Sequence, residues 1–247
     1  AEETGCGAPV CQKMITDEKP DIIFGWHNMP GFPAGSVAVH DGTAAFASRG
    51  LVLSFFGKSS HASQPENGHN PARAISKLII DIPELTARED HRGIVMATVV
   101  CVRIGEEAFG TNAGFGQLML TIRAEFESEL DALDAEICAR AHAYARQDGI
   151  TNVEVQYRDS FPETRNTPDA VAAVRKARLE CGLPEARWDE PFRSSEDFGC
   201  YTKLTSGALF YIGCGTRHAK LHTREYDFND EIIEPAVDMM FRLAQDA

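Results

Sequence analysis

Leu51-Val52-Leu53-Ser54-Phe55-Phe56-Gly57 is an apolar run of strand length, and the segments that follow it decide the fold. A polar loop, 58–70, separates it from Pro71, a good opener of a helix. That helix is expected to run to about Ile82, with Ala74, Ile75, Leu78 and Ile79 on one face. Residues 95–103 are rich in β-branched residues, and 117–124 alternate apolar with polar as a half-buried strand does. Across 129–147, Leu130, Leu133, Ile137, Ala141 and Tyr144 fall on one helical stripe, and 152–157 alternate again. The succession reads β-α-β-β-α-β, a ferredoxin-like split βαβ module.

The flanks read differently. Residues 9–19 predict a short helix. Asp21-Ile22-Ile23-Phe24-Gly25 predicts a buried strand with His27 just past its C-terminal end. Two short strands are expected at 35–39 and 45–48, joined by a turn at Asp41-Gly42. Beyond Pro162 come a helix over 169–181 opened by Thr167-Pro168 and stopped by Gly182, a helix over 195–204, a strand over 208–213 and an amphipathic helix over 229–244. The chain thus reads as α/β: a partial α/β domain, 1–48 and 162–247, with a βαββαβ domain, 49–161, inserted into it.

Composition narrows the function. The 247 residues carry a formal charge of −13, spread over all three segments rather than held in a tail. Nucleic acid and anionic membrane surfaces both call for a basic face, so both are excluded as main partners. Hydrophobic content of 43% fits an ordinary globular protein, and no apolar run is long enough to span a bilayer. The seven cysteines form no CxxC pair, which argues against a zinc ribbon and for free thiols in a reducing, cytoplasmic setting. Cys6 and Cys11 are expected to be partly buried.

Candidate chemistry gathers outside the inserted module. Glu2 and Glu3 are adjacent acids, His27 follows a strand, and His222 lies in a loop after another. Ligands in open α/β sheets collect at the carboxyl ends of strands. Two imidazoles and a carboxylate are a common metal set, and an adjacent carboxylate can act as general base. In Ser195-Glu196-Asp197-Phe198 the acid pair reads either as the first turn of a capped helix or as a metal or substrate contact. His69, His91 and His218 read as surface residues, and His142 as a packing residue.

Five stretches stand in order along the chain: Ala1-Glu2-Glu3-Thr4-Gly5, Phe24-Gly25-Trp26-His27-Asn28-Met29-Pro30-Gly31, Gly57-Lys58-Ser59-Ser60-His61-Ala62-Ser63-Gln64-Pro65, Ser195-Glu196-Asp197-Phe198 and 221–228 around Leu221-His222-Thr223. Together they resemble the metal-dependent amidohydrolases of the aminoacylase and carboxypeptidase family, nearest its hippurate hydrolase and indoleacetyl-amino-acid hydrolase branch. The resemblance implies hydrolysis of an amide bond in N-acyl amino acids or small peptides at a site with two divalent ions (Zn, Mn, Co or Ni). It implies Glu2 as general base and Glu3, His27 and His222 as metal ligands. His61, carried by a lid that forms a homodimer, would steady the oxyanion in the partner's site, and Asn112 would contact substrate.

The family's His-Ala-Cys-Gly-His-Asp stretch, with further ligands, is not found in these residues. The chain therefore reads as the C-terminal portion of such an enzyme, impaired by itself and completed by an upstream segment. A non-catalytic dimerisation or binding module derived from such an enzyme is the competing expectation. A thiol hydrolase using Cys6 or Cys11 lacks a partner histidine pattern.

Overall fold

The computed structural model describes residues 1–188 and 190–246. In chain order its elements are α1 (Gly7–Glu18), β1 (Ile22–Pro30), β2 (Val37–Val39), β3 (Gly42–Ala45), β4 (Ala47–Phe56), β5 (Ser60–His61), α2 (Ala72–Thr86), β6 (Val95–Ile104), β7 (Thr111–Asn112), β8 (Phe115–Ala124), α3 (Glu127–Gln147), β9 (Asn152–Phe161), β10 (Thr164–Asn166), α4 (Pro168–Glu180), α5 (Gly199–Thr202), β11 (Ser206–Gly215) and α6 (Ile233–Asp246). The chain packs as two compact units, one of Ala1–Phe46 with Phe161–Ala247 and the other of Ala47–Ser160. Among the described residues no helix is long and apolar enough to cross a membrane.

In the Ala47–Ser160 unit a four-stranded sheet runs in the order β6-β8-β4-β9, with β4 and β6 both antiparallel to β8. Leu118, Leu120, Ile122 and Ala124 point to one face, as the strand period of two requires. There they join Ile75 and Leu78 of α2 and Leu130, Ile137 and Ala141 of α3 in one core. Helix α2 passes its expected end at Ile82 and continues through Pro83 to Thr86. The lost N–H bond at Pro83 is offset by burial of Leu85 one half-turn on. The loop expected over 58–70 is not free of structure: β5 pairs with β7, aligning Ser60 with Asn112 and His61 with Thr111.

In the other unit a three-stranded sheet runs β1-β11-β2, with β1 parallel and β2 antiparallel to β11. Ala208, Phe210 and Ile212 face α4 and α6, while Leu209 and Tyr211 face Met29, Trp188 and Phe198. The hairpin expected around Asp41-Gly42 does not form. β2 joins β11, whereas β3 begins at Gly42 and pairs with β10, because Val37–Val39 can bury against the central strand and Thr43–Ala45 against a different partner. Strand β1 runs past the apolar run to Pro30, so His27 sits inside the strand, opposite Tyr211. The continuing ladder with β11, not local apolarity, sets that length.

Candidate functional site

The site grows around His27. Alternation along β1 puts Ile22, Phe24 and Trp26 on the α4/α6 face and Gly25 and His27 on the other. Gly25 is needed there, since a Cβ would come within 2.7 Å of the Phe198 ring. The His27 Nδ1 donates to the Asn28 carbonyl at 2.6 Å, so a neutral ring carries its lone pair on Nε2. That nitrogen lies 3.9 Å from Glu196 Oε1.

Glu2 and Glu3 stand in a single 3₁₀ turn, Glu2–Thr4, closed by the Gly5 N–H donating to the Glu2 carbonyl. Gly5 has φ 68°, the left-handed region that glycine enters at least cost. Helix α1 starts directly after it. The expected helix over 195–204 is reduced to α5, because long-range partners claim its first turn. The Phe46 N–H donates to the Ser194 carbonyl, and the buried Asp197 carboxylate accepts the Ala8 N–H at 2.7 Å. Asp197 is thus a cap, but on α1 rather than on its own segment, and it draws the Glu2 turn toward His27.

Electrostatics follow from this crowding. Partial burial, then Asp197 and Glu3, raise the Glu2 carboxyl above its ordinary value, while His27 opposes them. Glu196 is pushed up to about 8 by burial first, then by Glu2, Asp197 and Glu3. Tyr211, fully buried, is raised by burial and by Glu196, and its hydroxyl donates to the Ala44 carbonyl at 3.4 Å. Glu196 was legible only as one of two readings of Ser-Glu-Asp-Phe. Tyr211 carried no signal beyond the strand that holds it.

His222 belongs to the same unit. It is exposed, with φ 60°, in the segment between β11 and α6. Tyr226 ties that segment to β1 by accepting from the Asn28 side chain, and its ring packs on His218 at 5.5 Å. Imidazole and carboxylate donors suit Zn, Mn, Co or Ni. Among the described residues, however, no group of three His, Cys, Asp or Glu side chains is arranged to hold an ion. Glu3, His27 and His222 as placed do not make an ion site by themselves.

His61 and Asn112 belong to the Ala47–Ser160 unit. The Ser63 N–H donates to His61 Nδ1 at 3.2 Å, which leaves the ring proton of a neutral, exposed His61 on Nε2. The Asn112 amide donates to Ser60 Oγ at 3.0 Å and accepts from Asn70 at 2.8 Å. It lines a cavity of about 620 Å³ with Ser59, Pro65, Asn70, Glu106 and Phe115. His91 is not a free surface residue: it is held between Glu129 and the Leu85 carbonyl. Cys6 and Cys11 are exposed rather than partly buried, since α1 turns its Val10–Cys11 side to solvent. The seven thiols are free, and burial pushes Cys138 up to about 12.

The sequence profile described as peptidase family M20/M25/M40 matches residues 1–246. Hippurate hydrolase of Campylobacter jejuni is 24% identical over 91% of this chain and 58% of its own length. N-acetyldiaminopimelate deacetylase of Shouchella clausii is 26% identical over 97% and 64% respectively. Among solved structures, the Bacillus subtilis YXEP protein, described as a dinuclear metal binding peptidase, superposes with TM-score 0.79 at 18% identity, covering 99% of this chain and 62% of that one. The aminobenzoyl-glutamate utilization protein of Klebsiella pneumoniae gives TM-score 0.74 at 18% identity, over 96% and 57%. The chain spans about three fifths of the length of these relatives.

Proposed function

The chain belongs to peptidase family M20/M25/M40, and from that premise we propose that it forms part of a metal-dependent amidohydrolase cleaving the amide bond of N-acyl amino acids or related small amides and peptides. The observation that carries this reading is Glu196 lying 3.9 Å from His27, with Glu2 and Glu3 close enough to push it up and the Glu2 carboxyl itself raised toward the range of a working base.

In this reading Glu2 takes the proton of the attacking water and returns it to the leaving amine. Glu3, His27 and His222 each offer one donor to a pair of divalent ions, and the remaining donors come from an upstream segment. Bound ions would supply a more acidic water and a polarised carbonyl. His61, whose free ring N–H is a hydrogen-bond donor, steadies the oxyanion in the site of a second copy, the Ala47–Ser160 unit acting as lid and dimerisation domain. Asn112, on the wall of its cavity, holds the substrate's polar end. The cell interior is the proposed setting.

Hydrolysis of N-benzoyl- and N-acetyl-amino acids is the test, with the chain co-expressed beside the part of a relative that lies outside the match and supplied with Mn²⁺ or Zn²⁺. Release of the free amino acid is expected, and no release with any ion or substrate overturns the proposal. The lack of a three-donor group among the described residues favours a second reading, a non-catalytic dimerisation or binding module. That reading is supported if the mixture binds N-acyl amino acids without cleaving them.

A further inference from the structure

The cavity of about 620 Å³ in the Ala47–Ser160 unit is of ligand size, and its walls divide by chemistry. Ile104 and Phe115 form an apolar side, where the Phe56 ring packs on Phe115 at 5.2 Å. The polar side is Ser59, Asn70, Glu106, Thr111 and Asn112. Its hydrogen-bond directions are fixed by a network anchored on the backbone. The Ala72 N–H can only donate, and it donates to Asn70 Oδ1 at 2.9 Å. Asn70 therefore turns its Nδ2 to Asn112, whose Oδ1 accepts at 2.8 Å. The Asn112 Nδ2 is left to donate to Ser60 Oγ at 3.0 Å and to the Pro65 carbonyl at 3.4 Å, and a carbonyl can only accept. Both N–H groups of Asn112 are thus spent inside the wall. What it keeps for a ligand is the second lone pair of Oδ1.

Glu106 works in the same sense. An ionised carboxylate only accepts, and among the described residues no lysine, arginine or histidine lines the cavity. The loop that carries Glu106 is tied at both ends. The Gly105 N–H donates to the Phe115 carbonyl at 2.9 Å, and the Thr111 N–H donates to the Ala108 carbonyl at 3.1 Å. The polar wall is therefore a set of acceptors beside one negative charge, facing an apolar wall.

We propose that this cavity holds a substrate side chain that ends in an ammonium group, so that N-acyl derivatives of basic amino acids are preferred to neutral and acidic ones, with Glu106 as the specificity-determining residue. The aliphatic stem lies on Ile104 and Phe115, and the ammonium donates to Glu106 and to Asn112 Oδ1. A carboxylate in the same place would meet Glu106 and no cation to offset it. The net charge of −13 favours a cationic ligand at longer range. The inference rests on the reading of the chain as part of an N-acyl amino acid hydrolase, and it deepens that reading by naming the side chain of the substrate.

The probes are the Nα-acetyl derivatives of lysine, norleucine and glutamate, the first two differing only in the ammonium group. Each is titrated into the isotope-labelled chain and followed by NMR. The lysine derivative is expected to shift the amide signals of Glu106 and of residues 111–115, and to bind about tenfold more tightly than the norleucine derivative, the range for one hydrogen bond to a charged group. The glutamate derivative is expected to shift none of them. Glu106→Gln is expected to abolish the preference for lysine over norleucine, and Glu106→Lys to transfer it to glutamate, with thermal melts showing both variants folded. The proposal is overturned if no probe shifts those signals, if norleucine or glutamate binds as tightly as lysine, or if the preference survives Glu106→Gln. Hydrolysis is read separately in the complemented enzyme. Lysine-selective binding without cleavage keeps the cavity assignment and removes the proposed activity, whereas cleavage with no preference for lysine keeps the activity and removes the cavity assignment.

Discussion

The two units solve the burial problem in different ways. In Ala47–Ser160 two helices close one face of a four-stranded sheet, and a single core takes in residues of every long element. In the other unit a three-stranded sheet has a cluster on each face, and α6 and α1 still show apolar side chains to solvent. One unit closes on itself by repetition of simple periods. The other is held by contacts between segments far apart in sequence, and the candidate site lies among those contacts.

The largest expected effect tests whether the chemistry sits with the irregular contacts. Glu2→Gln in the complemented enzyme removes the proposed base and nearly preserves volume. Activity is expected to fall by roughly 10²–10⁴-fold, with the thermal midpoint unchanged. A steady-state assay beside a thermal melt checks it, and undiminished turnover removes Glu2 from the mechanism. His61→Ala, in the closed unit, is expected to cost roughly 10²–10³-fold, the range for one lost oxyanion donor. Mixed Glu2→Ala and His61→Ala proteins should partly restore activity if His61 serves a second copy. Failure of mixing with both variants folded assigns it no role in trans.

Next in size is a stability contrast. Ile122→Ala empties a fully buried position in the closed core and is expected to cost about 3 kcal/mol. Val237→Ala, on the exposed stripe of α6, is expected to lie within about 0.5 kcal/mol of wild type. Denaturant titration of both variants measures it. Equal costs would mean that the α6 stripe is already covered in solution.

This contrast also explains what could be read in advance. Leu118, Leu120, Ile122 and Ala124 alternate, and Leu130, Leu133, Ile137 and Ala141 keep a helical stripe, so the closed unit's elements were legible from period alone. The β5–β7 pair was not, because two residues show no period. His27 was recognisable as a residue, but its place within β1 depends on β11, nearly two hundred positions away. Ser194-Ser195-Glu196-Asp197 looks like a helix start, yet the Phe46 and Ala8 N–H groups take Ser194 and Asp197 as partners instead. Glu196 is left facing His27, and nothing local signals that outcome. The exposed stripe of α6 is equally silent, since an amphipathic pattern announces that a face is apolar and not what covers it.

The smallest effect tests the closed unit's one imidazole clamp. His91 Nδ1 lies 2.8 Å from Glu129 and Nε2 lies 2.9 Å from the Leu85 carbonyl, joining the end of α2 to the start of α3. The Leu85 carbonyl, followed by Glu129, raises His91 above its ordinary 6.5, and His91, followed by Arg92, holds Glu129 below its ordinary 4.5. The raised imidazole stabilises fully below 6.5, and that contribution is lost as pH rises through its folded value above 6.5. The lowered carboxyl stabilises above 4.5 and is lost as pH falls through its folded value below 4.5. Both contributions are therefore present between those two limits. His91→Gln is expected to cost about 1 kcal/mol near pH 5.5 and progressively less toward pH 9. Urea titrations across that range measure the difference. A cost independent of pH would show that a charge on His91 contributes nothing, and the His91–Glu129 contact would then hold as an uncharged hydrogen bond.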